Sequence, residues 1–264
     1  MSKIVLKAGK ERSLYRLHPW VFSGAIAKIK GDVQEGDVVQ VYNSDDEYLA
    51  TGHYQIGSIA VRVLTFKEEE IDYNFWVERI RQAYLTRVAI GLATNPNNNV
   101  YRLVYGDDLS GLVIDYYAGV AVVQFHSVGM YKVREEITKA LLEVMGDKLI
   151  AIYDKSEGTL PFKAGLNPKN DYLYGHTDNF TAIENGLKFN VDWLEGQKTG
   201  FFVDQRENRR LLEQYAHDKN VLNMFCYTGG FSFYAMRGGA KLVHSVDASA
   251  RAIELTNQNV ELNF

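Results

Sequence analysis

The sequence predicts a multidomain chain of β and α/β structure: a small N-terminal β-barrel, a central α+β domain, and part of an open α/β sheet. Three observations predict it. Residues 1–67 hold short apolar runs cut by glycine turns at nearly regular intervals, residues 100–178 read as β-β-β-α-β, and residues 220–259 run strand, glycine pair, helix, strand, helix.

In the first stretch the strand-like runs are residues 4–6, 21–22, 26–29, 38–42, 48–50 and 59–64, with turns around Gly31, Gly36 and residues 43–46. Trp20 and Phe22 are expected in the barrel core. Lys7, Lys10, Arg12 and Arg16 form a candidate phosphate-contacting rim, and in the functional alternative His18 and Trp20 stand at the barrel mouth beside a nucleotide. His53, alone beside a turn, is expected to be a hydrogen-bonded structural residue.

Residues 68–99 link this barrel to the next domain through a helix over residues 71–93, whose aromatic and aliphatic stripe (Phe75, Trp76, Ile80, Ala83, Tyr84, Val88) is packing rather than a site. Asn95 and Pro96 end it. The central domain has strands at 101–105, 111–117 and 120–125, a helix over 131–145 and a strand at 149–154. Asp107, Asp108 and Asp115 could form an acid cluster, but turn and strand-end aspartates without a histidine read as structural, and no metal is expected.

The last domain, residues 179–264, begins with a hairpin marked by Asn185-Gly186. Asp204, with Glu207 three residues on, resembles a capping box for a helix carrying Arg206 and Arg209. Val221, Leu222, Met224 and Phe225 then form a buried-type strand, Tyr227-Thr228-Gly229-Gly230 breaks it, and a helix runs from Phe231 to the Gly238-Gly239 stop. A second strand over Leu242–Val246 ends in Asp247. Glycines at the mouth of a sheet let a ligand approach the backbone, and an acid about 20 residues on can accept hydrogen bonds from a ribose diol. The expected ligand is a nucleoside. The phosphate-cradling G-x-G-x-x-G spacing is absent, which disfavours a dinucleotide and favours S-adenosylmethionine.

VLNMFCYTGGFSFYAMRGGA followed by SVDAS, preceded by GQKTGFFVDQRENR, resembles the cofactor motifs of the PUA-domain ribosomal RNA cytosine-C5 methyltransferases, a class I group. RLVYGDDLSGLVIDYY is similar to their central segment, and His18 to Gly24 with residues 50–54 resemble the PUA fold. The resemblance implies an N-terminal PUA-like RNA-binding barrel (residues 1–67), a central α+β domain, and a partial Rossmann-like class I methyltransferase domain. It implies S-adenosylmethionine contacts from Lys198, Thr199, Phe201, Arg206, Asn223, Phe225, Tyr227, Thr228, Gly229, Gly230, Phe231, Asp247, Ala248 and Ser249, with Lys198 or Arg206 near the cofactor carboxylate. Its substrate would be cytosine C5 of large-subunit ribosomal RNA. The nucleophilic cysteine that the family uses is expected beyond Phe264, in a chain read as truncated and inactive alone. Cys226 matches a structural position of the family and is not expected to be catalytic.

Composition bounds the alternatives. With 46% hydrophobic and 23% charged residues over 264 positions, the chain is expected to fold into two or three domains. A net charge of −4 argues against wholesale coating of nucleic acid without excluding a local basic face. One cysteine excludes a disulfide framework, and with no apolar run of membrane-spanning length the expected location is the cytoplasm. The competing reading is a noncatalytic RNA-binding protein, its βαβ unit structural or a homodimer surface.

Overall fold

The structure is a computed structural model and describes residues 2–161 and 165–264. The chain divides into two compact units. One contains residues up to Ile90 together with Leu103–Ile114 and Ala121–His176; the other contains Gly91–Arg102, Asp115–Val120 and Thr177–Phe264.

The first unit starts with six strands, β1 (Ser2–Leu6), β2 (Trp20–Phe22), β3 (Ile26–Lys30), β4 (Val38–Tyr42), β5 (Tyr48–Tyr54) and β6 (Ile59–Thr65), in the order β2-β6-β5-β4-β1-β3. β1 runs parallel to β4 and the other pairs are antiparallel. The two edge strands, β2 and β3, are joined by only Ser23–Ala25. Laid flat, six strands at about 4.8 Å spacing would hold their edges about 24 Å apart, beyond the reach of a three-residue link at about 3.5 Å per residue. The sheet therefore curls. Alternation sends Ile4, Leu6, Val39, Val41, Val61 and Val63 inward, and Leu14 of the short helix α1 (Arg12–Tyr15) joins the same core.

The same alternation corrects the reading of Trp20 and Phe22 as core. In β2 it is Val21 that is buried, at 3% exposure, so its two neighbours face outward at 36% and 49%. His53 is also corrected: it is buried on β5 and, among the described residues, neither ring nitrogen has a hydrogen-bond partner.

Helix α2 (Tyr73–Ala89) starts where the Asp72 side chain accepts from the Phe75 N–H at 2.9 Å, and it buries Phe75, Trp76, Ile80 and Ala83. Five strands follow, β7 (Val100–Tyr105), β8 (Leu112–Tyr117), β9 (Val120–Phe125), β10 (Ala151–Asp154) and β11 (Asp171–Gly175), ordered β11-β10-β9-β8-β7. β11 was not expected. The single helix expected over 131–145 is two, α3 (Val128–Lys132) and α4 (Arg134–Met145), broken at Val133.

In the second unit β12 (Thr181–Glu184) and β13 (Leu187–Asn190) form the hairpin, with Asn185 and Gly186 both at positive φ as a two-residue primed turn requires. Helix α5 (Arg206–Tyr215) follows a 3₁₀ turn over Val203–Gln205. Its N-cap is Gln205, so Asp204 does not cap it as expected: the tighter turn displaces Asp204 from the capping position. Then come β14 (Asn220–Met224), α6 (Gly230–Arg237), β15 (Leu242–Val246) and α7 (Ala250–Asn263). β14 and β15 are parallel, with Asn223 opposite Ser245. Both reach Ser232 of α6, at 2.9 and 2.7 Å. Alternation then puts Leu222, Met224, Leu242 and Val246 among the exposed large apolar residues.

Candidate functional site

The turn between β14 and α6 is backbone-strained. Phe225, Tyr227 and Gly229 hold φ of 57°, 51° and 82°, and for the two aromatic residues the left-handed region costs on the order of 1–3 kcal/mol each. Surrounding groups hold the shape. Cys226 N–H donates to Val246 O at 3.0 Å and Gly229 N–H to Cys226 O at 2.9 Å, while α7 supplies Thr256 Oγ1 to Tyr227 O at 3.0 Å and Asn259 Nδ2 to Thr228 O at 3.1 Å. Only glycine fits at 229, because a Cβ would lie 2.5 Å from Phe233 Cζ and 2.8 Å from Thr256 Cγ2. Phe225 is 86% exposed at this mouth.

Asp247 closes the turn from the tip of β15. Its Oδ2 accepts from Tyr227 N–H at 2.9 Å and its Oδ1 from Ser249 N–H at 2.9 Å. A carboxylate has about four acceptor positions; those two bonds orient Asp247 and leave acceptor capacity for a pair of ribose hydroxyls. Ser249 caps α7 by accepting from Ala252 N–H at 3.2 Å, and Ala248 between them is exposed.

A second loop, residues 196–200, is tied to this turn. The Tyr227 hydroxyl accepts from Gln197 N–H at 3.0 Å and donates to Gly200 O at 3.1 Å. Thr199 is fully buried: its Oγ1 donates to Asp115 Oδ2 at 2.6 Å and lies 2.7 Å from the Tyr117 hydroxyl. Asp115 is in turn held by both arms of Arg102, at 2.8 and 2.9 Å. Lys198, between these pinned neighbours, has φ 54° and is exposed.

Lys198 and the group Phe225, Tyr227, Thr228, Gly229, Gly230, Asp247, Ala248 and Ser249 thus belong to two linked loops. The remaining expected contacts are engaged within the fold, Arg206 and Phe201 buried and Asn223 and Phe231 half-buried. Arg206 is buried, donating to Val100 O and paired with Glu184 at 3.5 Å, beside an Arg209–Glu184 pair at 2.7 Å. Phe201 packs on Phe189 with 5.0 Å between ring centroids, and Asn223 is spent on Ser232. Phe231 is half-buried, 6.0 Å from the Arg209 guanidinium. Cys226 is buried and burial pushes its thiol pKa up, the reverse of what a nucleophile needs. Asp115 was missed as a support of the site; its only signal was an acid at an otherwise apolar strand position.

A family model described as S-adenosylmethionine-dependent methyltransferase matches residues 102–264, and a PUA-like domain model matches residues 4–66. The chain belongs to the S-adenosylmethionine-dependent methyltransferases. It is 41% identical over 269 residues to ribosomal RNA large subunit methyltransferase I of Aeromonas hydrophila and 40% identical over 268 residues to that of Alteromonas mediterranea, covering 99% of this chain in each case and 67% and 66% of those proteins. The chain spans about two thirds of the length of these relatives. Among solved structures, a candidate S-adenosylmethionine-dependent methyltransferase from Streptococcus mutans matches 100% of this chain and 68% of its own, with TM-score 0.83 at 27% identity. A candidate methyltransferase in complex with S-adenosylhomocysteine matches 99% of this chain and 67% of its own, with TM-score 0.84 at 27% identity.

The PUA-like part of this methyltransferase carries the other expected residues. Lys10, Arg12 and Arg16 are exposed and form no ion pair among the described residues, whereas Lys7 Nζ donates to Gly24 O at 3.0 Å. His18 Nδ1 accepts from Trp20 N–H at 3.2 Å, and the His18, Trp20 and Phe22 rings cluster at 5.7 to 6.4 Å on the outer face of β2. The three aspartates of the imagined acid cluster are separately engaged: Asp107 by Arg87, Asp108 by Arg79 and Asp115 by Arg102.

Proposed function

We propose that this chain binds S-adenosylmethionine at the Asp247 tip of β15 and, through its barrel, ribosomal RNA of the large subunit. The orientation of the Asp247 carboxylate by Tyr227 N–H and Ser249 N–H, beside a turn in which Gly229 admits no side chain, carries the cofactor reading. The donor set fits: an oriented carboxylate for a ribose, an exposed aromatic, Phe225, for an adenine face, and exposed Lys198 for a carboxylate. Once bound, the cofactor supplies an electrophilic methyl group. The residues of this chain orient it and shape the pocket by fixing the 196–200 loop through the Tyr227 hydroxyl.

Cytosine C5 is the finer reading that the resemblance implies. Addition to C6 needs a thiolate, and Cys226, the sole cysteine of the sequence, is buried in the wrong state for it. The proposed part of this chain is therefore cofactor and RNA binding, with no step assigned to Cys226. A ribosomal RNA substrate goes with a cytoplasmic location; no helix among the described residues is long and apolar enough to cross a membrane. A homodimer would rest on exposed Leu222, Met224, Leu242 and Val246, and sedimentation that stays monomeric over a wide concentration range would remove it.

Calorimetric titration with S-adenosylhomocysteine, with NAD as control, tests the cofactor reading. Saturable binding is expected, weakened at least about tenfold in Asp247→Ala, since hydrogen bonds to a charged acceptor contribute about 1.5–3 kcal/mol. Absence of binding by folded protein would leave the RNA-binding barrel as the function.

A further inference from the structure

Within the first unit, β6, the approach to β2 and the loop after β7 enclose a cavity of about 870 Å³, inside the range of roughly 300–1,000 Å³ typical of ligand pockets. Two large aromatic residues line it without being buried, Trp20 at 36% and Tyr105 at 67% exposure. The indole is fixed in place because Trp20 Nε1 donates to Ser110 Oγ at 3.3 Å.

Arg62 of β6 lies beside it, its guanidinium 5.9 Å from the Trp20 ring centre, with Nε donating to Gln55 Oε1 at 3.0 Å and Nη1 to Ser110 Oγ at 3.5 Å. These partners are neutral. Among the described residues Arg62 forms no ion pair, although partial burial already lowers its pKa by desolvation. A half-buried cation without an anion is costly unless a ligand supplies one.

The nearby acids do not supply it. Asp107 is taken by Arg87 through both arms, and Asp108 pairs with Arg79 at 3.2 Å. Lys67, also on the wall, forms no ion pair among the described residues either. The cavity thus keeps two cations in excess, next to two solvent-exposed aromatic side chains. A small anion would use the cations and leave the rings bare, and a duplex keeps its bases stacked away from both. An unstacked nucleotide offers a π-face to the rings and a phosphate to the cations at once.

We propose that this cavity is a subsite for one unstacked nucleotide of single-stranded RNA, its base stacking on Trp20 and Tyr105 and its phosphate meeting Arg62. The inference rests on the reading that the chain binds RNA and adds where and how one nucleotide is held.

The protein reports on it directly. Of its three tryptophans, Trp76 and Trp193 are buried at 2% and 1% exposure, so Trp20 is the one open to a stacked base. The full 264-residue chain is titrated with a single-stranded hexaribonucleotide, the same sequence as duplex, and a heparin hexasaccharide, following tryptophan fluorescence. The expected result is saturable quenching by the single strand alone, absent in Trp20→Phe. Tyr105→Ala and Arg62→Gln each weaken it about tenfold while S-adenosylhomocysteine affinity stays unchanged. Tyr105 is exposed, so its variant keeps the test informative if Arg62→Gln folds poorly. Lys10→Ala with Arg12→Ala on the rim should weaken binding but preserve the full quench at saturation. Equal quenching by heparin, binding without quenching, or wild-type affinity in both pocket variants while the rim variant fails would overturn the subsite and leave RNA binding standing. Failure of the wild-type chain to bind any RNA would overturn both.

Discussion

A histidine buried without a partner behaves as an apolar ring until it is protonated. His53 on β5 is 2% exposed, stacks on Trp76 at 6.1 Å, and lies so close to Gly129 that a Cβ there would sit 2.2 Å from its Cγ. Burial first, then the charge of Lys132, lowers its pKa to about 4. The unfolded chain takes up this proton near pH 6.5 and the folded one only near 4, so the stability from burying the neutral ring is complete above about pH 6.5 and is lost as pH falls through 4. At about pH 4 the loss is about 3 kcal/mol. Asp154 works in the opposite direction: burial raises its carboxyl to about 6, so its contribution is full below the ordinary value near 3.8 and is lost as pH rises through 6. The two partly cancel in the native protein. Urea unfolding of wild type and His53→Phe at pH 7 and about pH 4 separates them, because the wild-type advantage should shrink by about 3 kcal/mol; an advantage independent of pH would mean that the ring is not held neutral.

The glycine turn and the 196–200 loop form one hydrogen-bonded element, linked through the Tyr227 phenol. Tyr227→Phe removes the hydroxyl that connects Gln197 N–H to Gly200 O, two bonds contributing about 0.5–1.5 kcal/mol each. Calorimetry should show S-adenosylhomocysteine affinity down about tenfold with the melting transition shifted by only a few degrees; unchanged affinity would detach the loop from the site. This element was largely legible because its signals are local. Gly229 after an apolar run and Asn185-Gly186 in the hairpin each hold a positive φ that few residues adopt, and Asp247 marks the end of the next strand. What the sequence hid depends on partners distant in the chain. Asp115 looked like a strand-end acid until Arg102 and Thr199 surrounded it, and Arg206 looked available to a ligand until Glu184, on the β12 hairpin, claimed it. Asp204 failed as a cap because a 3₁₀ turn shifted the helix start, and β11, a short edge strand of mostly exposed or half-buried residues, had no buried face to mark it.

At the scale of the whole molecule the charge is unfavourable for RNA, with 33 acidic against 29 basic side chains, so binding has to come from distribution rather than total. The stretch from Lys7 to Arg16 concentrates four cations in an otherwise acidic protein, and Lys10, Arg12 and Arg16 among them are exposed and form no ion pair among the described residues. Unneutralised cations grouped on one edge make a local positive potential that the acidic remainder reduces only beyond the screening length, about 8 Å at physiological salt. Each phosphate they meet releases counterions, and for single-stranded RNA the logarithm of the binding constant should fall with the logarithm of salt concentration at about 0.7 per contact. Replacing Lys10, Arg12 and Arg16 by alanine should therefore lower that slope by about 2, and weaken binding by a similar factor for every sequence tried, because phosphate contacts position a strand without reading its bases. A sequence-dependent loss would place these cations on base edges, and an unchanged slope would move the RNA path off this edge of the barrel.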